Sequence, residues 1–339
     1  MIDPIPFGKR MIGPGHPVLI IAEIGINHEG KADACAKMIE MASRAGADAV
    51  KLQCIKADEN YAPGTESHAI FSRAELTEHD TAELFNYARE MGMDVFATCG
   101  DPYSLSFIDS LEPAGFKISS GLITHLPLIR RAAQSGRTLL LSTGMADEER
   151  IERALESARD AGAEHLGLFQ CTSIYPAPPE ALHLRAISFL EVKYRVPVGF
   201  SDHSEGVFGT CLAVAAGAQM IEKHFTFDRS RTGFDHKISL PPDEFKKMVD
   251  RIRLAEAIMG ESGKRPTETE ILTSKRFYRK LVARRDIPEG ATVQEDDIGF
   301  MRILEADHAL DPSDLNRVLG RRLRCDLRKY SPITEKDLI

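Results

Sequence analysis

Two histidines, His203 in VPVGFSDHSEG and His224 in MIEKHF, stand just past apolar runs. Neutral imidazoles are ligands for Zn, Mn, Fe or Co, and two of them leave coordination positions open for a substrate. The same pair could instead serve as a general acid and base. Two lysines, Lys51 in AVKLQC and Lys117 in GFKISSG, also close apolar runs. An ammonium in such surroundings needs either a carboxylate of the protein or an anionic ligand beside it. Thr98, Ser120, Ser142 and Ser201 end or follow similar runs. With the lysines they would make a phosphate or carboxylate cradle rich in charge-assisted hydrogen bonds. Glu23 and Glu222 add acids. Taken singly, each of these residues is an ordinary turn or cap; chemistry requires that they meet on one surface.

The elements that would bring them together follow one rhythm, a short apolar strand, a polar end, then a helical pattern. Strands are expected at 18–24, 49–53, 95–98, 115–118, 139–142, 166–170, 198–201 and 220–223. They are continuously apolar, as strands buried on both faces are. Alternation with helices implies a parallel sheet, and eight strands favour an α/β fold closed as a (β/α)8 TIM barrel. In that fold functional side chains gather at the C-terminal strand ends, where all the residues above fall. No GxGxxG follows the first strand, which weakens a dinucleotide-binding reading.

The barrel is expected over 1–262 and a linker over 263–276, within the polar run GESGKRPTET and its continuation. A small, mostly β domain follows over 277–339. There DIPEGATVQEDDI (286–298) aligns without gaps to DLRKYSPITEKDL (326–338), an internal pseudo-repeat. The 339 residues carry a net charge of -8, so no basic face for nucleic acid is expected. Six scattered cysteines without CxxC spacing suit a reducing, cytoplasmic setting. The N-terminus lacks the apolar core of a signal peptide, and no apolar stretch approaches the length of a membrane span.

IAEIGINHEG, VKLQ, KISSG, LSTGM, CTSIYPAP, GFSDHSEG and IEKHF occur in this order, with a TxxxPxS third strand end. This ensemble resembles the sialic acid synthase family, and the tail resembles the antifreeze-like (SAF) domain that follows the barrel there. The resemblance implies condensation of phosphoenolpyruvate with an open-chain N-acetylmannosamine-type sugar, giving a nine-carbon 2-keto-3-deoxy acid and phosphate. It implies a divalent metal, Mn2+, Mg2+ or Co2+, on His203 and His224. Lys51, Thr98, Lys117, Ser120, Ser142 and Ser201 match positions that hold phosphoenolpyruvate. Glu23, Glu222 and Lys117 match catalytic positions. Gln53, Tyr175 and Asp235 match positions near the amino sugar. Arg302 matches an arginine that the SAF domain of one subunit places over the partner's barrel, in a domain-swapped homodimer.

The chain also departs from that pattern. Leu122 stands where the family often has an acid, Gln170 replaces a histidine, Ser173 an asparagine, Thr65 the asparagine of PGN, and Phe234, in GFDH, the proline of GPDH. These changes are expected to bear on the sugar, which leaves a 2,4-diacetamido-trideoxyhexose (legionaminate or pseudaminate type) as an alternative acceptor. Three other readings are a different phosphoenolpyruvate-using barrel synthase that makes a shorter keto-sugar acid from a sugar phosphate or pentose, a Schiff-base aldolase using Lys117 or Lys51, and a non-catalytic sugar-binding barrel.

Overall fold

The computed structural model describes residues 2–261, 263–303, 306 and 308–339. It consists of two compact units, Met1–Gly260 and Glu261–Ile339; the barrel boundary expected at residue 262 lies outside the described residues. The first unit opens with an antiparallel hairpin, β1 (Ile5–Phe7) and β2 (Arg10–Ile12). Eight strands follow: β3 (Leu19–Gly25), β4 (Ala49–Cys54), β5 (Asp94–Cys99), β6 (Phe116–Ile118), β7 (Leu139–Ser142), β8 (Leu166–Cys171), β9 (Val198–Asp202) and β10 (Met220–His224). Each pairs in parallel with the next, and β10 closes on β3 to complete the barrel. All eight lie where the sequence places them.

Side chains alternate across the barrel wall. Outward residues such as Ile20, Val50, Leu141 and Val198 join the helices in one core. The helix Ala32–Arg44 buries Cys35, Met38, Ile39 and Ala42, the spacing of a single helical face. Inward residues Leu19, Ile21, Ala49, Phe96, Leu140, Phe169 and Met220 form a separate core. The hairpin supplies Ile5, Phe7 and Ile12 to that inner core. Phe7 meets Phe96 edge to face, with ring centroids 5.0 Å apart. The hairpin therefore fills the N-terminal end of the barrel, and the interior is packed up to the level where the polar residues begin.

The second unit holds β11 (Lys280–Ala283) and β12 (Ile298–Met301), paired antiparallel, around a core that includes Leu281, Ile287, Val293, Leu323 and Ile333. The pseudo-repeat is visible in space. Ile287 and Leu327 exchange backbone hydrogen bonds of 2.8 and 2.9 Å. Asp286 accepts from the Lys329 backbone N–H, and Asp326 accepts from that of Glu289, both at 2.7 Å. Matching single turns, Glu295–Asp297 and Glu335–Asp337, are each closed by a capping box. The segment expected as a linker contains a helix, Glu268–Phe277, started by a Thr267–Glu270 capping box. Among the described residues no helix is long and apolar enough to cross a membrane.

Candidate active site at the C-terminal end of the barrel

Above the inner core, the next inward residues are polar: Glu23, Lys51, Thr98, Lys117, Ser142, Ser201 and Glu222. Strand register sets Glu23 beside Lys51, Lys117 beside Thr98 and Glu222 beside Ser201. Between Glu23 and Gly25 the pairing of β3 with β4 slips by a bulge, a device that re-aims side chains. Gly25 takes φ 57°, and a Cβ there would lie 2.9 Å from Glu23 Oε1.

The floor is an ion network. Lys117 Nζ donates to both oxygens of Glu222, at 2.9 and 2.8 Å, and lies 4.1 Å from the centre of the Phe169 ring. Ser201 Oγ donates to Glu222 Oε1 at 3.0 Å. Lys51 Nζ sits 3.4 Å from the same oxygen and 2.8 Å from Glu23 Oε2, and donates to Thr98 Oγ1 at 3.2 Å. Gln53 Nε2 donates to Glu23 Oε1 at 3.3 Å. The ammoniums that the sequence left without a partner are thus paired within the protein.

The two acids of this network differ. Burial raises the Glu23 pKa to about 7, only partly opposed by Lys51, and the Glu222 charge raises it further. Burial works against ionised Glu222 too, but Lys117, Lys51 and the Ser201 hydroxyl hold its carboxyl well below the usual range. Burial also works against the Lys51 ammonium, which Glu222 and Glu23 stabilise enough to raise its pKa. For Lys117 burial prevails and the pKa is lowered. While Glu23 keeps its proton, two ammoniums face one carboxylate, and the floor carries net positive charge suited to an anion.

Beside this floor, the His203 and His224 rings lie with centroids 5.5 Å apart. His203 Nδ1 donates to the Thr172 carbonyl at 2.9 Å, which leaves Nε2 with its lone pair, 3.2 Å from the Tyr175 hydroxyl. A backbone carbonyl that fixes the tautomer in this way is the usual support of a metal-ligating imidazole. His224 Nδ1 is buried without a hydrogen-bond partner, and Asp235 Oδ2 lies 3.8 Å from it. Burial, together with His203 and Lys51, keeps His224 neutral. Burial works against protonated His203 as well, but the Cys171 thiol and the Thr172 carbonyl raise its pKa, so a metal would compete with a proton there. Among the described residues no cluster of three or more His, Cys, Asp or Glu side chains could hold a metal. His203 and His224 are the two imidazoles here that could serve as donors to a divalent ion.

One cavity of about 520 Å³ is lined by Glu23, Lys51, Gln53, Thr98, Lys117, Ser120, Ser142, Tyr175, Ser201, His203, Glu222, His224 and Asp235. These are all the expected site residues except Arg302, which lies in the second unit with its guanidinium 4.9 Å from the centre of the Phe277 ring. The sequence reading missed the apolar upper wall, Ile55, Tyr61, Ile70 and Phe71. All four come from the segment between β4 and β5, which carries the helix Glu66–Ala74. Of the five departures expected to bear on the sugar, Ser173 and Phe234 line this cavity. Thr65 caps the helix Glu66–Ala74 by accepting from the His68 N–H. Gln170 donates to the Leu182 carbonyl at 3.0 Å, and Leu122 packs against the outer core.

Comparison with known proteins agrees with this geometry. The NeuB family model matches residues 38–264, and the SAF domain model matches residues 278–339. The chain is 34% identical to the N,N'-diacetyllegionaminic acid synthase of Legionella pneumophila, over 94% of each chain. It is 30% identical to the human N-acetylneuraminate-9-phosphate synthase, over 96% of this chain and 94% of that one. The crystal structure of the N-acetylneuraminic acid (sialic acid) synthetase of Leptospira borgpetersenii superposes with a TM-score of 0.78 at 34% identity, covering 80% of this chain and 95% of that one. With the closed barrel, the polar strand ends and the trailing domain in the same order, the chain belongs to the NeuB family and is an enzyme of that type.

Proposed function

We propose that the protein condenses phosphoenolpyruvate with the open-chain aldehyde of an N-acetylmannosamine-type sugar, releasing phosphate and a nine-carbon 2-keto-3-deoxy acid. The observation that carries this reading is the convergence of two lysines and several hydroxyls with the paired imidazoles in one cavity. Lys51, Lys117, Thr98, Ser120, Ser142 and Ser201 bind the phosphate and carboxylate by charge-assisted hydrogen bonds. His203 and His224 would hold a divalent ion, Mn2+, Mg2+ or Co2+, which supplies Lewis-acid polarisation of the aldehyde.

The bond changes balance with one water. C3 of phosphoenolpyruvate bonds to the aldehyde carbon, whose oxygen takes a proton. The cation left at C2 takes a water oxygen, and that water loses a proton. The C2–O bond then breaks, and phosphate leaves with the bridging oxygen and takes the proton of the remaining hydroxyl, which becomes the ketone. Glu23 is the proton carrier, because its pKa of about 7 suits exchange near neutral pH. Glu222, pinned by three donors, stays ionised and fixes both lysines. Gln53, Tyr175 and Asp235 bind the sugar. Arg302 of a domain-swapped partner and a cytoplasmic location complete the proposal.

A second acceptor, a 2,4-diacetamido-trideoxyhexose, is supported by the name of the Legionella relative. Ile55, Ile70 and Phe71 also line the cavity, and a 6-methyl group would pack on such side chains. The test is phosphate release from phosphoenolpyruvate with each sugar in turn. Release that depends on one of them supports the reading, and none with any would overturn it.

A further inference from the structure

Asn27, in the turn after β3, is 2% exposed and lies outside the set of residues given roles above. Its side chain is bonded to the loop 226–240 and to Phe225, where that loop leaves β10; the loop returns to β10 through the bridge Phe225–Leu240. Asn27 Nδ2 donates to the Phe225 carbonyl on the outgoing limb and to Ser239 Oγ on the returning limb, each at 2.9 Å. Asn27 Oδ1 accepts from the Asp235 backbone N–H at 3.0 Å. Ser239 Oγ in turn donates to the Asp235 carbonyl at 2.6 Å. The amide has one orientation only, since its NH2 must face the Phe225 carbonyl and its oxygen the Asp235 N–H. Both backbone groups of Asp235 are therefore bonded, the N–H directly by Asn27 and the carbonyl through Ser239 and also by the Ile238 N–H at 3.2 Å. The result is a carboxylate held 3.8 Å from His224, on the wall of the cavity. Two residues on, Glu29 ties down the same loop by pairing with Arg231 and His236.

We propose that Asn27 is a positioning residue for acceptor recognition, acting through Asp235 by clamping the 226–240 loop against the end of β3. This rests on the proposed function only in naming the acceptor as the ligand of Asp235. The geometric reason is that a side chain on a loop contributes to orientation only when its backbone is held. Asn27 is the group that spans all three parts of this loop.

The experiment combines hydrogen exchange with kinetics on the full-length protein. In Asn27→Ala, the Asp235 amide should exchange at least about tenfold faster than in the wild type, while the barrel strand amides stay unchanged. The acceptor kcat/KM should fall about tenfold and the KM for phosphoenolpyruvate should hold within about twofold. In an Asp235→Ala background, Asn27→Ala should cause little further loss of acceptor kcat/KM, because residues acting through one another are non-additive. Ser239→Ala, which removes less of the clamp, should show the same pattern more weakly. Unchanged exchange at Asp235, or losses that simply multiply in the double variant, would overturn the proposal. A wild-type protein that releases no phosphate with any sugar would refute the proposed function instead, and the exchange data would still decide whether Asn27 holds the loop.

Discussion

The Lys117 ammonium donates to both oxygens of the Glu222 carboxylate, at 2.9 and 2.8 Å, with both side chains buried. This pair spans the barrel interior between β6 and β10. It explains how a lysine survives in an apolar interior before any substrate arrives. Removing one partner leaves the other charge buried, which typically costs about 3 to 5 kcal/mol. Lys117→Met should therefore lower the unfolding free energy in urea by about 3 kcal/mol, since Lys51 and Ser201 still contact Glu222. It should also abolish the stabilisation that phosphoenolpyruvate gives the wild type. A Lys117→Met protein still stabilised by phosphoenolpyruvate would place the anion elsewhere.

Glu23 gives a pH signature. Its pKa in the fold, about 7, is above the ordinary 4.5. Between those values the folded state binds a proton that the unfolded state has released, so this contribution to stability is present below pH 4.5 and lost as pH rises through about 7. Glu222 is shifted the other way, and its contribution is lost only below pH 4.5. Catalysis that uses ionised Glu23 as a base should rise through pH 7. Glu23→Gln should remove both that limb of the rate profile and the stability loss across the same window. If the variant kept the wild-type profile, Glu23 would not be the titrating group.

The imidazole pair makes the metal testable apart from turnover. His203→Ala should bind less than one tenth of the Mn2+ bound by the wild type in equilibrium dialysis, while the far-ultraviolet circular dichroism stays unchanged. Chelation of the wild type should stop phosphate release, and added Mn2+ should restore it. Full metal binding by the His203→Ala variant would remove His203 from the donor set.

The hairpin at the other end of the barrel has a structural role. Phe7 is fully buried in the inner core, so Phe7→Ala should cost about 3 to 5 kcal/mol in urea unfolding. The KM for phosphoenolpyruvate should not change, because the packed layer of Phe96, Leu140 and Phe169 separates hairpin from site. A changed KM at unchanged stability would contradict this division.

The barrel was legible because its strands are apolar on both faces and end at polar residues, so 18–24 and its successors could be placed, although 115–118 gave only a weak signal. The hairpin was not, since IPF and RMI are too short to show a period. The helix Glu268–Phe277 did have a signal, the Thr267-x-x-Glu270 capping box, hidden in a run of Gly, Pro and polar residues. The site residues could be named from strand ends, but their pairing could not. That Lys117 reaches Glu222, and Lys51 reaches both glutamates, depends on how the strands stagger when the sheet closes. The apolar upper wall was illegible for a different reason, because Ile70 and Phe71 sit on a helix in a connecting segment with no fixed place relative to the strand ends.

The central claim, condensation with C–O cleavage, is tested most directly with phosphoenolpyruvate carrying ¹⁸O at the bridging position. The protein, Mn2+ and N-acetylmannosamine or the 2,4-diacetamido-trideoxyhexose are incubated with it, and the released phosphate is examined by mass spectrometry. Sugar-dependent phosphate that retains the ¹⁸O label is expected, together with a nine-carbon keto acid. Unlabelled phosphate, or no sugar-dependent release with any acceptor, would contradict it.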